Sequence, residues 1–329
     1  MTGLQSKPEI PSHWELAYTD KLASHMVQQF RRATGLLADG ESPIILANVG
    51  IETLCEADWM VNIMVRAYKN QIILENIDAI HLSERAQMES KFLPASDAIP
   101  TGTSPLQDIA EPAVIVDRSG GYSDMNNVDH LAHSLHAGLT AGAKGNWQTS
   151  EALYNMDADT KGVINMSPVW FQQARHGGTA IPEVSAAMRT ESAQQWLSSI
   201  WDEAAIQSGA LAIMHPEMYC SGLQTMVKLG EFAEEIGDTC MTAILAQWPS
   251  VYNVGSLMVN RASPFHIDRF GRPQWFDLLV TFGTYSDLYF LLPTLGLTLQ
   301  YCPGTVIAMS GKMIEHGVGQ TDGDRAVLA

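Results

Sequence analysis

Cysteine is scarce in this chain of 329 residues, and the four present, Cys55, Cys220, Cys240 and Cys302, form no C-x-x-C pair. That spacing argues against a disulfide framework and against a thiolate zinc site, leaving reduced structural thiols. Basic residues are few as well, 19 Lys plus Arg against 36 Asp plus Glu, for a formal charge of −17. A surface this acidic repels phosphate backbones, so net charge disfavours a nucleic-acid partner; the longest basic hint is Arg31-Arg32, inside an expected helix. No uncharged apolar run reaches the length of a membrane span. The opening residues, MTGLQSKPEIPSHWE, lack the basic and apolar segments of a secretory signal, so the expected location is cytoplasmic unless an address has been trimmed away. Phosphate-cradling patterns are missing too. ARHGGTAIP carries Gly177-Gly178 without G-x-G-x-x-G or Walker spacing, and no G-x-S-x-G elbow supports a hydrolase.

What is there suits a folded, globular chain: 46% hydrophobic and 17% charged residues, enough for a substantial core. The reading is one catalytic domain over 1–329, with mainly helical support in 1–110 and the rest including a β core. Ser12 to Glu15, SHWE, fits a capping box ahead of apolar residues at helical spacing, Leu16, Leu22, Ala23, Met26, Val27 and Phe30. A second helix is expected over 52–68. Residues 95–110, rich in Pro, Ser, Thr and Gly, read as a connector, and Ala113 to Val116 as a strand running into a turn at Gly120-Gly121. From 190 to 237 the helical period returns, one helix through Trp196, Leu197, Ile200, Trp201 and Ala204 and another after Pro216. After 250 short branched or aromatic runs alternate with turns: WFDLLVTFG, LYFLLP, GLTLQY, TVIAMS and RAVLA. Such grammar suggests a sandwich or small barrel, with Pro303-Gly304 as a tight turn.

Within that β region lies HID at 266–268. In a strand, His266 and Asp268 would share a face. Alone an H-x-D is weak, but His316 follows about fifty residues later, and Arg325 opens the last apolar run nine residues after that. Two histidines and a carboxylate can hold one face of an octahedral Fe(II), leaving three positions open. A 2-oxo acid can take two of them and dioxygen the third. The far carboxylate of such an acid wants a planar, permanently charged partner, and Arg325 on a neighbouring strand, with its guanidinium inside the barrel, would supply one.

These segments, HID, WFDLLVTFG, YCPGTVIAMSGK, EHGV and GDR, resemble the double-stranded β-helix core of Fe(II)/2-oxoglutarate-dependent dioxygenases, and more narrowly the TET/JBP-like branch expanded in fungi. The resemblance covers about a fifth of the chain, over 261–329. It implies an α+β fold, a jelly-roll or cupin-like barrel with supporting N-terminal helices. It also implies iron ligands His266, Asp268 and His316, with 2-oxoglutarate and O2 as co-substrates. Arg325 would hold the distal carboxylate of 2-oxoglutarate. Arg261, five residues before His266, matches an arginine that helps hold the co-substrate in this branch. The family's last strand runs on past its arginine, and part of that extension faces substrate. This sequence stops at Ala329, so either the strand is short or the sequence is cut.

Rival constellations are less specific. His130, His133 and His136 recur at spacings of three but lack a carboxylate or cysteine partner, so they read as a packed or hydrogen-bonded helix face. His215-Pro216-Glu217 reads as a helix start rather than a metal pair. The expected function is oxidation of a substrate C–H bond by hydroxylation, desaturation or ring closure such as aziridine formation. The charge favours a small molecule, an amino acid or natural-product intermediate of secondary metabolism. The alternative is a 5-methylpyrimidine oxygenase acting on DNA or RNA, which needs a flipped base and a cationic track. A third reading is an inactive barrel used as a binding module.

Overall fold

Trp14, not Ser12, stands at the N-cap of the first helix. Helix α1 (Glu15–Thr34) starts from an extended Trp14 with no side-chain cap, so the capping box expected at Ser12 does not form. The physical reason is burial. The indole is 4% exposed, and it packs so tightly on Gly230 that a Cβ there would lie 1.9 Å from the ring. Burying an aromatic of this size is worth several kcal/mol, against about 1 kcal/mol for a cap.

The protein is described here by a computed structural model covering residues 7–37, 40–44, 46, 49–69, 114–116, 153–155, 158, 161–171, 181–286 and 288–329. These residues fall into two compact units, one containing α1, residues 49–69 and residues 164–256, the other containing 114–116, 153–163 and 257–329. Residues 95–110, the turn at Gly120-Gly121, Gly177-Gly178 and His130, His133 and His136 lie outside the described residues.

The first unit is helical. Helix α2 (Ile51–Lys69) matches its sequence expectation within a residue at each end. The apolar period through Trp196 to Ala204 is not one helix but two, α3 (Glu191–Ser199) and α4 (Trp201–Met214), broken at Ile200 with φ −114° and ψ 15°. The period of buried residues runs on across the break, which is why spacing alone misses it. Pro216 begins α5 (Pro216–Glu235), with His215 as N-cap accepting from the Met218 N–H through its side chain. A short helix, α6 (Thr239–Gln247), was not legible from periodicity; Asp238 caps it. Helices α1 and α4 approach closely at Gly209, where a Cβ would lie 2.3 Å from Met26 Sδ. Of the methionine and tryptophan side chains between residues 190 and 237, Trp196 and Met226 are buried in the core, while Trp201, Met214 and Met218 are half-buried. Among the described residues no helix is long and apolar enough to cross a membrane.

The strands are β1 (Val114–Val116), β2 (Gly162–Met166), β3 (Gly255–Val259), β4 (Ser263–His266), β5 (Asp277–Gly283), β6 (Tyr289–Leu292), β7 (Leu297–Gln300), β8 (Val306–Met309), β9 (His316–Val318) and β10 (Arg325–Leu328); all belong to the second unit except β2 and β3, which run across the unit boundaries. All five runs expected as strands after residue 250 are strands. One sheet contains β1-β8-β5-β10-β3 in that order, the other β4-β9-β6-β7. The pairings β1 with β8, β5 with β8 and β10, β3 with β10, and β9 with β4 and β6 are antiparallel. The fold is therefore mixed α+β with antiparallel sheets. Pro303-Gly304 makes the expected turn before β8, with Gly304 at φ 88°, a left-handed conformation that glycine adopts without penalty. Side chains from both sheets share one core: Phe290, Leu292, Leu299 and Val318 from one, Ile307 and Met309 from the other, with Tyr285 and Tyr301 between.

Candidate metal centre

His266 and His316 are directly opposite partners across β4 and β9. Opposed residues of an antiparallel pair project to the same side, so the two imidazoles meet, with ring centroids 4.3 Å apart. The register is irregular just before this point, the two residues between Ser263 and His266 facing the single residue between Val318 and His316. That is a bulge containing Pro264, which has no N–H to offer the ladder, and bulges re-aim side chains beside functional sites.

Asp268 joins them from outside the strand. β4 ends at His266, so Asp268 lies two residues beyond the strand rather than in it, which corrects the sequence expectation. Asp268 Oδ1 lies 3.7 Å from His266 Nε2 and Oδ2 lies 4.0 Å from His316 Nε2. Ligand atoms of the three residues all fall within 4.8 Å of one another, a group that could hold a metal ion.

The imidazoles are held in the tautomer that ligation needs. His266 Nδ1 is 2.7 Å from Pro264 C=O, and His316 Nδ1 is 3.0 Å from Ile314 C=O. A carbonyl only accepts, so each Nδ1 carries the proton and each Nε2 lone pair faces the shared centre. Burial lowers the pKa of His316, the Ile314 hydrogen bond and Asp268 oppose this, and His266 adds to the lowering. Neutral imidazole, the ligating form, is thereby favoured. The centre is open on one side: His266 and Asp268 side chains are 40% and 44% exposed, His316 only 9%. Phe290 stacks on the His316 ring at 5.8 Å and 9°.

Arg325 is not on a strand hydrogen-bonded to the His316 strand, as spacing suggested. It begins β10, in the other sheet, between β3 and β5. It nonetheless points into the same core: it is 5% exposed, and its guanidinium lies 5.8 Å from the centroid of Tyr301. Tyr301 in turn meets Phe290 edge to face at 5.3 Å. Phe290 and Tyr301 thus form an aromatic bridge from His316 to Arg325. Arg325 Nη2 donates to Arg261 C=O at 2.8 Å, while its Nη1 is buried without a partner. Burial works against its charge, Tyr301 and Tyr285 support it, and Arg261 opposes it.

Arg261 lies just before β4, bridged to Tyr154. Its Nη1 contacts Met258 Sδ at 3.4 Å and its buried Nε has no partner. Together Asn155, Asn260, Arg261, Gln320, Thr321 and Arg325 line a small cleft. Asn260 organises that edge. With φ 51° it donates from its side chain to Asp324 and accepts from the Arg325 N–H, both at 2.8 Å.

The structure thus brings His266, Asp268 and His316 to one point and Arg261 and Arg325 to one cleft. Residues given no role by sequence reasoning are Phe290, Tyr301, Asn260, Asp277 and Gly311. No motif marks them: Phe290 and Tyr301 act through ring faces, Asn260 and Asp277 through side-chain oxygens that accept main-chain N–H groups, and Gly311 through its main chain and the space it leaves.

No protein-family model matches the chain, and no curated protein is similar to it in sequence. A solved structure of NgTET1 in complex with 5mC DNA matches this chain with a TM-score of 0.42 and 14% identity, over 62% of this chain and 66% of that one. The chain spans just under two thirds of the length of NgTET1.

Proposed function

We propose that this protein is a non-haem Fe(II)/2-oxoglutarate-dependent oxygenase that oxidises a C–H bond of a small molecule, an amino acid or natural-product intermediate, within a double-stranded β-helix core. The observation that carries the reading is the convergence of His266 Nε2, Asp268 and His316 Nε2, with both Nδ1 atoms tied to carbonyls. Two imidazoles and one carboxylate form the donor set that suits Fe(II) with open positions. Bound there, the iron with 2-oxoglutarate and O2 would supply the oxidising power, with succinate and CO2 as co-products.

The protein's own part is binding and orientation. Arg325, buried and with Nη1 unpartnered, would take the distal carboxylate of 2-oxoglutarate, because a buried guanidinium nitrogen left alone is costly and a carboxylate satisfies it. Arg261 would reinforce it with a second positive charge at the same cleft. The Phe290 and Tyr301 rings keep water from the space between His316 and Arg325. Membership of the fungal TET/JBP-like branch, a cytoplasmic setting and a role in secondary metabolism belong to the same proposal and rest on the sequence segments.

A second reading, oxidation of a 5-methylpyrimidine in DNA or RNA, has one specific observation in its favour. The segment following His266 exposes Phe270 and Trp275, 99% and 55% exposed, and Arg272 lies 5.8 Å from the Trp275 ring. Aromatic and cationic side chains in this combination suit stacked bases and phosphates. The net charge of −17 weighs against it. Succinate release measured with Fe(II) and 2-oxoglutarate, across free amino acids and methylated oligonucleotides, separates the two. Release stimulated by amino acids supports the first reading, and release stimulated only by oligonucleotides overturns it.

A further inference from the structure

The turn from Ser310 to Ile314 touches two of the three metal-facing residues, and it does so through its main chain. Gly311 C=O accepts the Asp268 N–H at 2.8 Å, and Ile314 C=O holds His316 Nδ1 at 3.0 Å. The turn is closed on itself, since Ser310 C=O accepts from both Met313 and Ile314 N–H at 3.0 Å. Lys312 Nζ reaches Arg269 C=O at 2.7 Å, tying the turn to the chain just after Asp268.

Two features outside the ligand set fix where this turn sits. Asp277, the first residue of β5, pairs with Met309 at the end of β8 and accepts the Gly311 N–H through Oδ2 at 3.1 Å. Gly311 itself makes room. A Cβ at this position would lie 2.0 Å from Asp268 Oδ2 and 2.8 Å from Asp277 Oδ2. The missing side chain is where the Asp268 carboxylate belongs, so any larger residue must displace a carboxylate, the turn or both.

We infer that Asp277 and Gly311 are positioning residues for the metal centre: Asp277 pins the turn, and Gly311 both holds the Asp268 main chain and clears the space its carboxylate occupies. The inference rests on the metal-site reading above. Neither residue touches the ion's place directly. They set the angle at which Asp268 and His316 face His266, and outer contacts of this kind typically govern metal affinity by ~10–100-fold.

Co(II) titration followed by visible absorption tests it, with apo unfolding midpoints measured on the same samples. His316→Ala should abolish the Co(II) signal. Asp277→Ala and Gly311→Ala should weaken Co(II) binding by ~10–100-fold, with midpoints shifted by only a few degrees. Asp277→Asn keeps an acceptor oxygen toward the Gly311 N–H and should restore affinity to within about threefold of the unmodified protein. If His316→Ala abolishes binding while Asp277→Ala and Gly311→Ala bind as the unmodified protein does, the positioning role is wrong and the metal site stands. If Asp277→Asn is as damaging as Asp277→Ala, the acceptor role is wrong. Should Asp277→Ala fail to fold, Gly311→Ala against Asp277→Asn decides the question. If His316→Ala still binds Co(II), the metal site itself is wrong, and the inference falls with it.

Discussion

The two units leave different kinds of buried polar group without partners. Among the described residues of the helical unit these are the indole nitrogens of Trp196 and Trp201 and one nitrogen of His25, scattered over separate helices. In the β unit they include guanidinium nitrogens of Arg261 and Arg325, both lining one cleft. A lone neutral N–H costs ~1–3 kcal/mol and is tolerated as a packing compromise, whereas charged groups cost more. Two cations left short of acceptors at the same place are what the proposed function assigns to the co-substrate's carboxylate. The difference teaches where to look for function: not at the number of unsatisfied groups, but at their charge and convergence.

That contrast breaks most sharply if the β unit's groups prove dispensable. His316→Ala should abolish succinate formation outright, while Trp201→Phe, which removes an indole N–H from the helical unit, should leave it nearly intact; equal losses would erase the distinction. Next in size, Arg325→Lys should weaken 2-oxoglutarate binding by roughly 100-fold, because an ammonium cannot offer two parallel N–H groups to a carboxylate. Isothermal titration of the metal-loaded protein reads this directly, and unchanged affinity would remove Arg325 from the co-substrate site.

The helical unit should respond to pH instead. Burial raises the Glu203 pKa from 4.5 to about 7, its own backbone hydrogen bond opposes the shift, and Glu56 and Asp202 add to it. A carboxyl raised on folding stabilises the folded state while protonated, so its contribution is full below pH 4.5 and fades as pH rises toward 7. The fading amounts to roughly 3 kcal/mol. Thermal unfolding at pH 5 and pH 8 should show that slope, and Glu203→Gln should flatten it. Smallest is Asp238→Ala at the start of α6, where Oδ1 accepts the Met241 N–H at 2.9 Å. Its loss should cost about 1 kcal/mol by denaturant unfolding and leave Co(II) affinity unchanged.

Much of this is legible in the sequence alone. Strand-turn grammar after residue 250 located five strands because alternation and turn residues are local signals. His266, Asp268, His316 and Arg325 stood out because their spacing was distinctive. What spacing could not show was which sheet Arg325 joins, since strand order is set by long-range pairing rather than by distance along the chain. The H-x-D spacing also suggests a shared strand face for His266 and Asp268, whereas β4 ends at His266. Burial keeps the helical period across Ile200, so periodicity alone does not reveal the break there. Trp14 overrode the cap at Ser12 because packing against Gly230 is invisible to a local reading.

The two imidazoles are steered by carbonyls belonging to residues two positions upstream, Pro264 and Ile314. Such steering does not depend on which side chain those residues carry. Drift at either position can therefore leave the histidine orientation intact, provided the backbone path survives. Comparison of related sequences would then record the histidines as fixed and their guides as variable, and a redesign aimed at altering the pocket could change residue 314 before disturbing the centre.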